Sequence, residues 1–427
     1  MNGKRRLKMK QLTRLFIPIC LETLFYMLSG MVDTLMLSAV GDYAVGAVGT
    51  ANSYIGIFII MFSIISSGMV SVMTQNIGAG RPGVAYQARQ LGLLFNAVAG
   101  VLMAAFLFSG AGAILRMVGI ADALYEPALI YLKIVGGGCI LNAVIPIFSS
   151  YLRAFGYTKQ PLYATIVGNI ANFVMNAVFL FVLHKGVAGV ATATVISKIL
   201  NLCIVLYFSH KLISAKNSTE RIANKTVLGQ IVKVGLPSAC ETALYNVAMM
   251  LVIRFLNQMD AEGLNVTARS YTATISNFSY CVGAALAQAN AIMTGWHIGA
   301  GELEECDRGT KRAAFVGVCV AVCMETAIVL GSGFIMPLFT DNPEMTALVR
   351  KLLAIDIVLE IGRVTNLVFG QALKTSGDAV FPAVIAAVFM FVFAVGGTWL
   401  FGISMGLMAV GAYIGLASDE CVRAVGM

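Results

Sequence analysis

Apolar runs long enough to cross a bilayer recur from one end of this chain to the other. That recurrence constrains its fold more than any single residue does. About 20 apolar residues at ~1.5 Å rise cover a hydrocarbon core of ~30 Å. Runs of this kind, separated by polar breaks, occupy residues 15–40, 45–76, 89–115, 123–153, 161–184, 187–209, 234–258, 264–296, 312–338, 346–374, 379–401 and 404–424. The chain is 59% hydrophobic and only 12% charged, and the short alternating segments of a β-barrel are not visible. The expected fold class is therefore an all-α polytopic membrane protein with twelve transmembrane helices in the lipid bilayer. A basic cluster (Lys4, Arg5, Arg6, Lys8, Lys10) precedes the first run. That run is too long for a signal peptide and lacks a small-residue cleavage site, so it reads as a retained helix.

Positive charge sets the expected orientation. With the N-terminus inside, cytoplasmic segments hold the N-terminal cluster, Arg81, Arg89, Arg153, Lys159, Lys211, Lys216, Arg221, Lys225, Lys233, Arg308, Lys311, Arg312, Lys374 and Arg423. The opposite side holds Arg116, Lys185, Arg350 and Lys351 beside Asp42, Asp122, Asp260, Asp341 and Glu344. A multi-pass protein of the cell membrane with both termini cytoplasmic is expected. The net charge of +8 is concentrated in these loops and implies no nucleic-acid partner. The nine cysteines fall mostly inside apolar runs without ligand spacing and imply no disulfide framework.

One sizeable polar connection, residues 210–233, divides the chain. It reads as a flexible cytoplasmic linker between an N-terminal six-helix lobe (1–209) and a C-terminal six-helix lobe (234–427). The halves repeat. Ile77-Gly78-Ala79-Gly80 recurs 221 residues later as Ile298-Gly299-Ala300-Gly301, and Leu152-Arg153…Gly156…Pro161 recurs at the same offset as Leu373-Lys374…Gly377…Pro382. Pro18…Glu22-Thr23 recurs 219 residues later as Pro237…Glu241-Thr242. Three matches within two residues of one register make two pseudo-symmetric lobes, and an even helix count per lobe gives both the same orientation.

Asp33 is the residue such a chain must explain. Inserting an acid near the centre of a membrane helix costs ~2.5–3.5 kcal/mol, and such groups normally meet a cavity or a partner. Asp33 lies seven residues before Val40, about 10 Å deep at ~1.5 Å per residue. The fifth expected helix offers Asn172 and Asn176, one turn apart on one face, and the sixth offers Thr194 at comparable depth. These oxygens suit a small cation, Na⁺ included, or a carboxyl that loads and releases a proton. The bland alternative is a packing hydrogen bond to a neighbouring helix. The second half lacks the set: the equivalent positions are Val252, Phe393 and Gly397.

Glu22 and Glu241 are repeat-mates about two turns from the cytoplasmic end, read as inner-gate carboxylates or as near-interface ion pairs. Asp356, Glu360 and Arg363 form a stripe at spacings of four and three, read as an internal ion-pair cluster. Lys133, Lys198, Arg254, Arg269 and Glu325 are further partners or cavity-lining groups that sequence cannot pair. Pro18 removes a hydrogen bond in the first helix and predicts a bend there. The Gly-Ala-Gly stretches follow long helices and lack a Walker lysine, so helix C-capping explains them. No HExxH, GxSxG or CxxC occurs, so no enzyme, cofactor or structural metal is expected.

With two six-helix halves, Asp33-Thr34 in the first helix and Gly-Ala-Gly after the second and eighth, the chain resembles the MATE (multidrug and toxic compound extrusion) transporters over essentially its whole length. Glu360-Ile-Gly-Arg363…Asn366-Leu-Val and Leu373-Lys374…Gly377-Asp378 are similar to the prokaryotic DNA-damage-inducible branch. The resemblance implies a monomeric secondary active exporter working by alternating access. It would move amphiphilic, cationic organic compounds outward against H⁺ or Na⁺, with Asp33 as the coupling carboxylate, Asn172 and Thr194 beside it, and Pro18 in the bending helix. Some relatives carry a second aspartate where this chain has Asn176. Other branches place a cation-binding carboxylate at the position of Arg363, so the resemblance gives no C-lobe sodium site there. The alternative implied by the same superfold is a flippase for a lipid or lipid-linked saccharide, which a strongly basic cavity would favour.

Overall fold

The computed structural model describes residues 2–117, 120–213, 220–260 and 263–427, and no β-strand occurs among them. The side chains of Lys4, Arg5, Arg6, Lys8 and Asp42, and residues 214–219 with Lys216, lie outside the described part. Contacts divide the chain into one unit up to Gly235 and a second from Leu236 onward. In the first unit lie α1 (Asn2–Ser38), α2 (Asp42–Gly78), α3 (Pro82–Met117), α4 (Asp122–Gly137), α5 (Cys139–Ala154), α6 (Lys159–Ala177) and α7 (Gly186–Leu212). Helix α8 (Asn224–Met259) crosses the boundary, and α9 (Leu264–Gly299), α10 (Leu303–Ile335), α11 (Pro343–Ser376), α12 (Val380–Phe389) and α13 (Met408–Gly426) complete the second unit.

Helices α4 and α5 meet at a bend of 41°. The run Gly136-Gly137-Gly138 sits there, three residues of low helix propensity in succession. Counting that pair as one span gives six spans in each half, a twelve-helix all-α protein in two lobes. Among the described residues, eight helices, or nine with the bent pair, are long and apolar enough to cross a membrane. Helices α9, α11 and α13 fall outside that set. Buried polar groups explain it: α11 carries Asp356 and Glu360, α13 carries Asp419, Glu420 and Arg423, and α9 carries Ser276, Ser279 and Asn290, all buried.

The repeat seen in sequence reappears in backbone geometry. Gly80 and Gly301 hold φ of +73° and +75°, and Gly156 and Gly377 hold +84° and +102°. The left-handed conformation is nearly free of strain only for glycine, and it lets the next amide return to the helix end. Thus Arg81 N donates to Asn76 O at 2.8 Å and Glu302 N donates to His297 O at 2.8 Å. Wide π-type turns also recur. Val178–Val182 continues α6, and Met390–Val395 and Thr398–Ser404 continue α12; position 178 shifted by 221 falls in the last of these.

Residues 224–233, expected in the linker, are the first turns of α8. Val227 and Ile231 are fully buried in the apolar cluster that also holds Met73, Tyr151 and Leu152. Helical spacing of two apolar residues among polar ones was enough to bury a face that mean hydropathy hides.

Candidate functional site

Helix α1 packs on α6 and α7, and this contact assembles the N-terminal polar site. The Asn176 carboxamide donates to Asp33 Oδ1 at 2.7 Å and is 3.2 Å from Asn172 Oδ1. Asn172 and Asn176 are 5% and 0% exposed. The i,i+4 spacing placed both amides on the α6 face that meets α1. Asn176 Oδ1 is buried and accepts no hydrogen bond, so an acceptor remains free beside the carboxylate. A packing role alone leaves that oxygen unexplained. Thr194 does not touch Asp33 directly: its hydroxyl donates to Val190 O at 2.9 Å within α7. It neighbours the Tyr131 phenol, which also has Asn52 and Asp33 as polar neighbours.

Sequence reasoning missed Tyr131 and Asn52. A tyrosine inside an apolar run looks like core until its hydroxyl is placed, and buried hydroxyls need partners. Lys198 donates to Asn142 Oδ1 at 2.8 Å and is an electrostatic neighbour of Asp33, so the site contains a cation the spacing did not reveal. Pro18 sits inside α1. Its missing N–H frees the carbonyl of Arg14, four residues earlier, and the Thr158 hydroxyl donates to that oxygen at 3.4 Å.

Glu22 and Glu241 each meet one cation. Glu22 pairs with Arg153 at 2.6 Å, and Glu241 pairs with Lys374 at 2.8 Å. Arg153 and Lys374 are themselves repeat-mates. Both halves therefore preserve the same acid-to-base tie, between α1 and α5 in one and between α8 and α11 in the other. Counted in sequence as loop charges, Arg153 and Lys374 are 17% and 14% exposed in their side chains. Arg89 and Arg423 likewise leave the loop tally. Arg89 is 6% exposed and lies over the Tyr86 and Tyr151 rings at 4.4 and 4.9 Å. Arg423 bonds Asp419 and Glu420, each at 2.8 Å. Ring faces and acids hold these guanidinium groups inside the protein.

In the second unit, Arg363 bonds Glu360 and lies 3.9 Å from Glu420 Oε1. Asn366 Nδ2 ties Glu420 Oε2 at 2.7 Å. The stripe on α11 thus continues into α13 through Asp419, Glu420 and Arg423. Their i,i+1,i+4 spacing was readable, but their place at the end of an apolar run hid it. The helices approach closely because Gly362 has no side chain: a Cβ there would lie 2.5 Å from the Glu420 backbone. A cavity of about 510 Å³ opens beside this network. Arg269, Arg363, Lys374 and Arg423 line it against Glu241, Asp356, Asp419 and Glu420, with Tyr245, Tyr280 and Tyr413 between them. It is densely charged and balanced in sign.

Two repeated six-span bundles, one holding a carboxylate with an open amide oxygen and the other a charged cavity, define an integral membrane transporter. The MatE family model matches residues 18–178 and 237–413. The chain belongs to the MATE family of multidrug efflux transporters, which move small organic compounds, couple to ions and are not enzymes. It is 33% identical over 414 residues to the uncharacterized transporter YisQ of Bacillus subtilis, covering 96% of this chain and 90% of that one. It is 21% identical over 427 residues to the probable multidrug resistance protein NorM of Thermotoga maritima, covering 97% and 90%. Its fold matches a MATE protein solved in a straight conformation with a TM-score of 0.86 at 21% identity, covering 98% of this chain and 94% of the other. A MOP superfamily transporter from Pyrococcus furiosus gives 0.83 at 20% identity, covering 98% and 93%.

Proposed function

We propose that this transporter is a secondary active antiporter that exports amphiphilic, cationic organic compounds against H⁺ or Na⁺, with Asp33 as the coupling carboxylate. The observation that carries the reading is the pairing of Asp33 with an Asn176 whose own oxygen has no partner. An ion arriving there meets a carboxylate, a free amide oxygen and the neighbouring Asn172 carboxamide. Lys198 and Tyr131 set the field around it. The repeat-mate Val252 is fully buried among apolar side chains, so the Asp33 site belongs to one lobe. Ion binding moves a conformational equilibrium only through different affinities for its states. Ionisation of Asp33 supplies that difference if substrate and ion compete for one charge.

The flippase alternative draws no support from the second-unit cavity, where four basic groups face four acids. The charge bias of the loops favours cytoplasmic termini in the cell membrane, and Pro18, with its freed carbonyl, favours α1 as the helix that bends. The test is efflux from proteoliposomes under an imposed ΔpH or ΔNa⁺ with a panel of organic cations. Asp33→Asn keeps shape and hydrogen bonding while removing charge. Gradient-driven efflux is expected to fall to background in a folded Asp33→Asn protein, with smaller losses for Asn172→Ala and Thr194→Ala. Unimpaired coupled efflux by Asp33→Asn would overturn the assignment.

A further inference from the structure

The ion pairs of the second unit leave carboxylate oxygens on three acids unaccounted for. Glu325 on α10 and Asp356 and Glu360 on α11 are 0%, 2% and 0% exposed. One oxygen from each lies within 4.8 Å of the others. Arg363 bonds Glu360, but neither oxygen of Glu325 has a hydrogen-bond partner, and Asp356 Oδ2 and Glu360 Oε2 have none either. Helix α9 packs against both α10 and α11. It contributes Ser276 beside Asp356 and Ser279 beside Glu325, 3% and 0% exposed. Neither hydroxyl closes a hydrogen bond of ordinary geometry, to these acids or elsewhere.

Buried polar atoms are rarely left unmade, and here they gather in one place on three helices. An internal salt bridge does not account for them, because one guanidinium faces three carboxylates and Glu325 lacks a cationic contact. A hard cation does. Such ions take about 6–8 oxygen ligands at ~2.3–2.6 Å, so oxygens on opposite sides of one ion stand about 4.8 Å apart. Carboxylate oxygens gathered within that distance of one another can all reach a single ion. We propose that Glu325, Asp356, Glu360, Ser276 and Ser279 form a binding site for one small hard cation of the Na⁺ or Ca²⁺ class. It lies in the second unit, whereas Asp33 lies in the first, so it stands or falls apart from the coupling assignment.

The experiment uses full-length purified protein carrying Asp33→Asn, which removes the first-unit carboxylate. Thermal unfolding is followed at pH 8 while NaCl or CaCl₂ replaces choline chloride at constant ionic strength. A ligand that binds only the folded state raises Tm by roughly 5 °C at a hundredfold excess over Kd for a lobe of this size. That rise is expected with one of the two salts, and it identifies the ion. Adding Glu325→Gln is expected to abolish the rise while increasing Tm in choline, because a repelling charge is gone. Ser279→Ala, a milder change, is expected to shift the midpoint to higher cation concentration without abolishing the rise. Equilibrium binding of ²²Na⁺ or ⁴⁵Ca²⁺ is expected to give one ion per chain in Asp33→Asn and none after adding Glu325→Gln. No cation-dependent rise and no bound ion in Asp33→Asn would overturn the proposal, as would a rise that survives Glu325→Gln unchanged.

Discussion

Replacing Arg363 by alanine tests the charge balance of the second unit most directly. Its side chain is 22% exposed, that of its partner Glu360 is 0% exposed, and Glu420 lies 3.9 Å away. At an effective dielectric near 20, two unit charges ~4 Å apart interact by about 4 kcal/mol. Removing one partner of a buried pair typically costs about 3–5 kcal/mol, because the other charge is left without compensation. Arg363→Ala strands Glu360 beside Asp356 and Glu325, so the loss falls at the upper end of that range. Adding Glu360→Gln removes the stranded charge and keeps the side chain's shape. The double variant is expected to recover about half of the loss. The assay is thermal stability of detergent-purified protein by fluorescence-detected size exclusion, with expression level as a second readout. A double variant no more stable than Arg363→Ala would show that Glu360 is not what Arg363 neutralises.

Charge reversal tests the first of the two repeat-related ties: Glu22→Arg or Arg153→Glu alone is expected to cost about 2 kcal/mol, the size of a charge-assisted hydrogen bond, and the double swap to restore most of the Tm. Gly362→Ala puts a Cβ at 2.5 Å from the Glu420 backbone, and the resulting separation of α11 from α13 is expected to cost about 1–3 kcal/mol, read as a lowered Tm. Asp260 accepts from Leu264 N and Asn265 N, both at 2.9 Å, at the start of α9. Burial raises its pKa, but the hydrogen bonds from Asn265 and Leu264 outweigh it and hold the carboxyl below its usual range. Its contribution is therefore present above the unfolded value near ~3.9 and lost as pH falls through the lower folded value. Asp260→Ala is expected to cost about 1 kcal/mol at pH 7, with the difference from the parent protein shrinking toward pH 3 in thermal unfolding; a difference constant with pH would remove the charge from the explanation.

Hydropathy and repeats, both properties of consecutive residues, laid out the helices and the two halves, because a bilayer requires long apolar helices with internally satisfied backbones. The capping glycines were legible for the same reason: Gly80 and Gly301 answer a local backbone demand. Asp33 announced itself because an acid in an apolar run is costly wherever it points, and Asn172 with Asn176 followed from helical spacing. Tertiary structure decided what those groups meet. Nothing in the order of residues said that Asn176 rather than Thr194 would bond Asp33, that Tyr131 and Lys198 would join them, or that Arg153 and Lys374 would turn inward to Glu22 and Glu241. The gathering of Glu325, Asp356, Glu360, Ser276 and Ser279 draws on three helices, and its geometry depends on how those helices cross and rotate. Spacing along one helix determines which side chains share a face; only packing determines which faces meet.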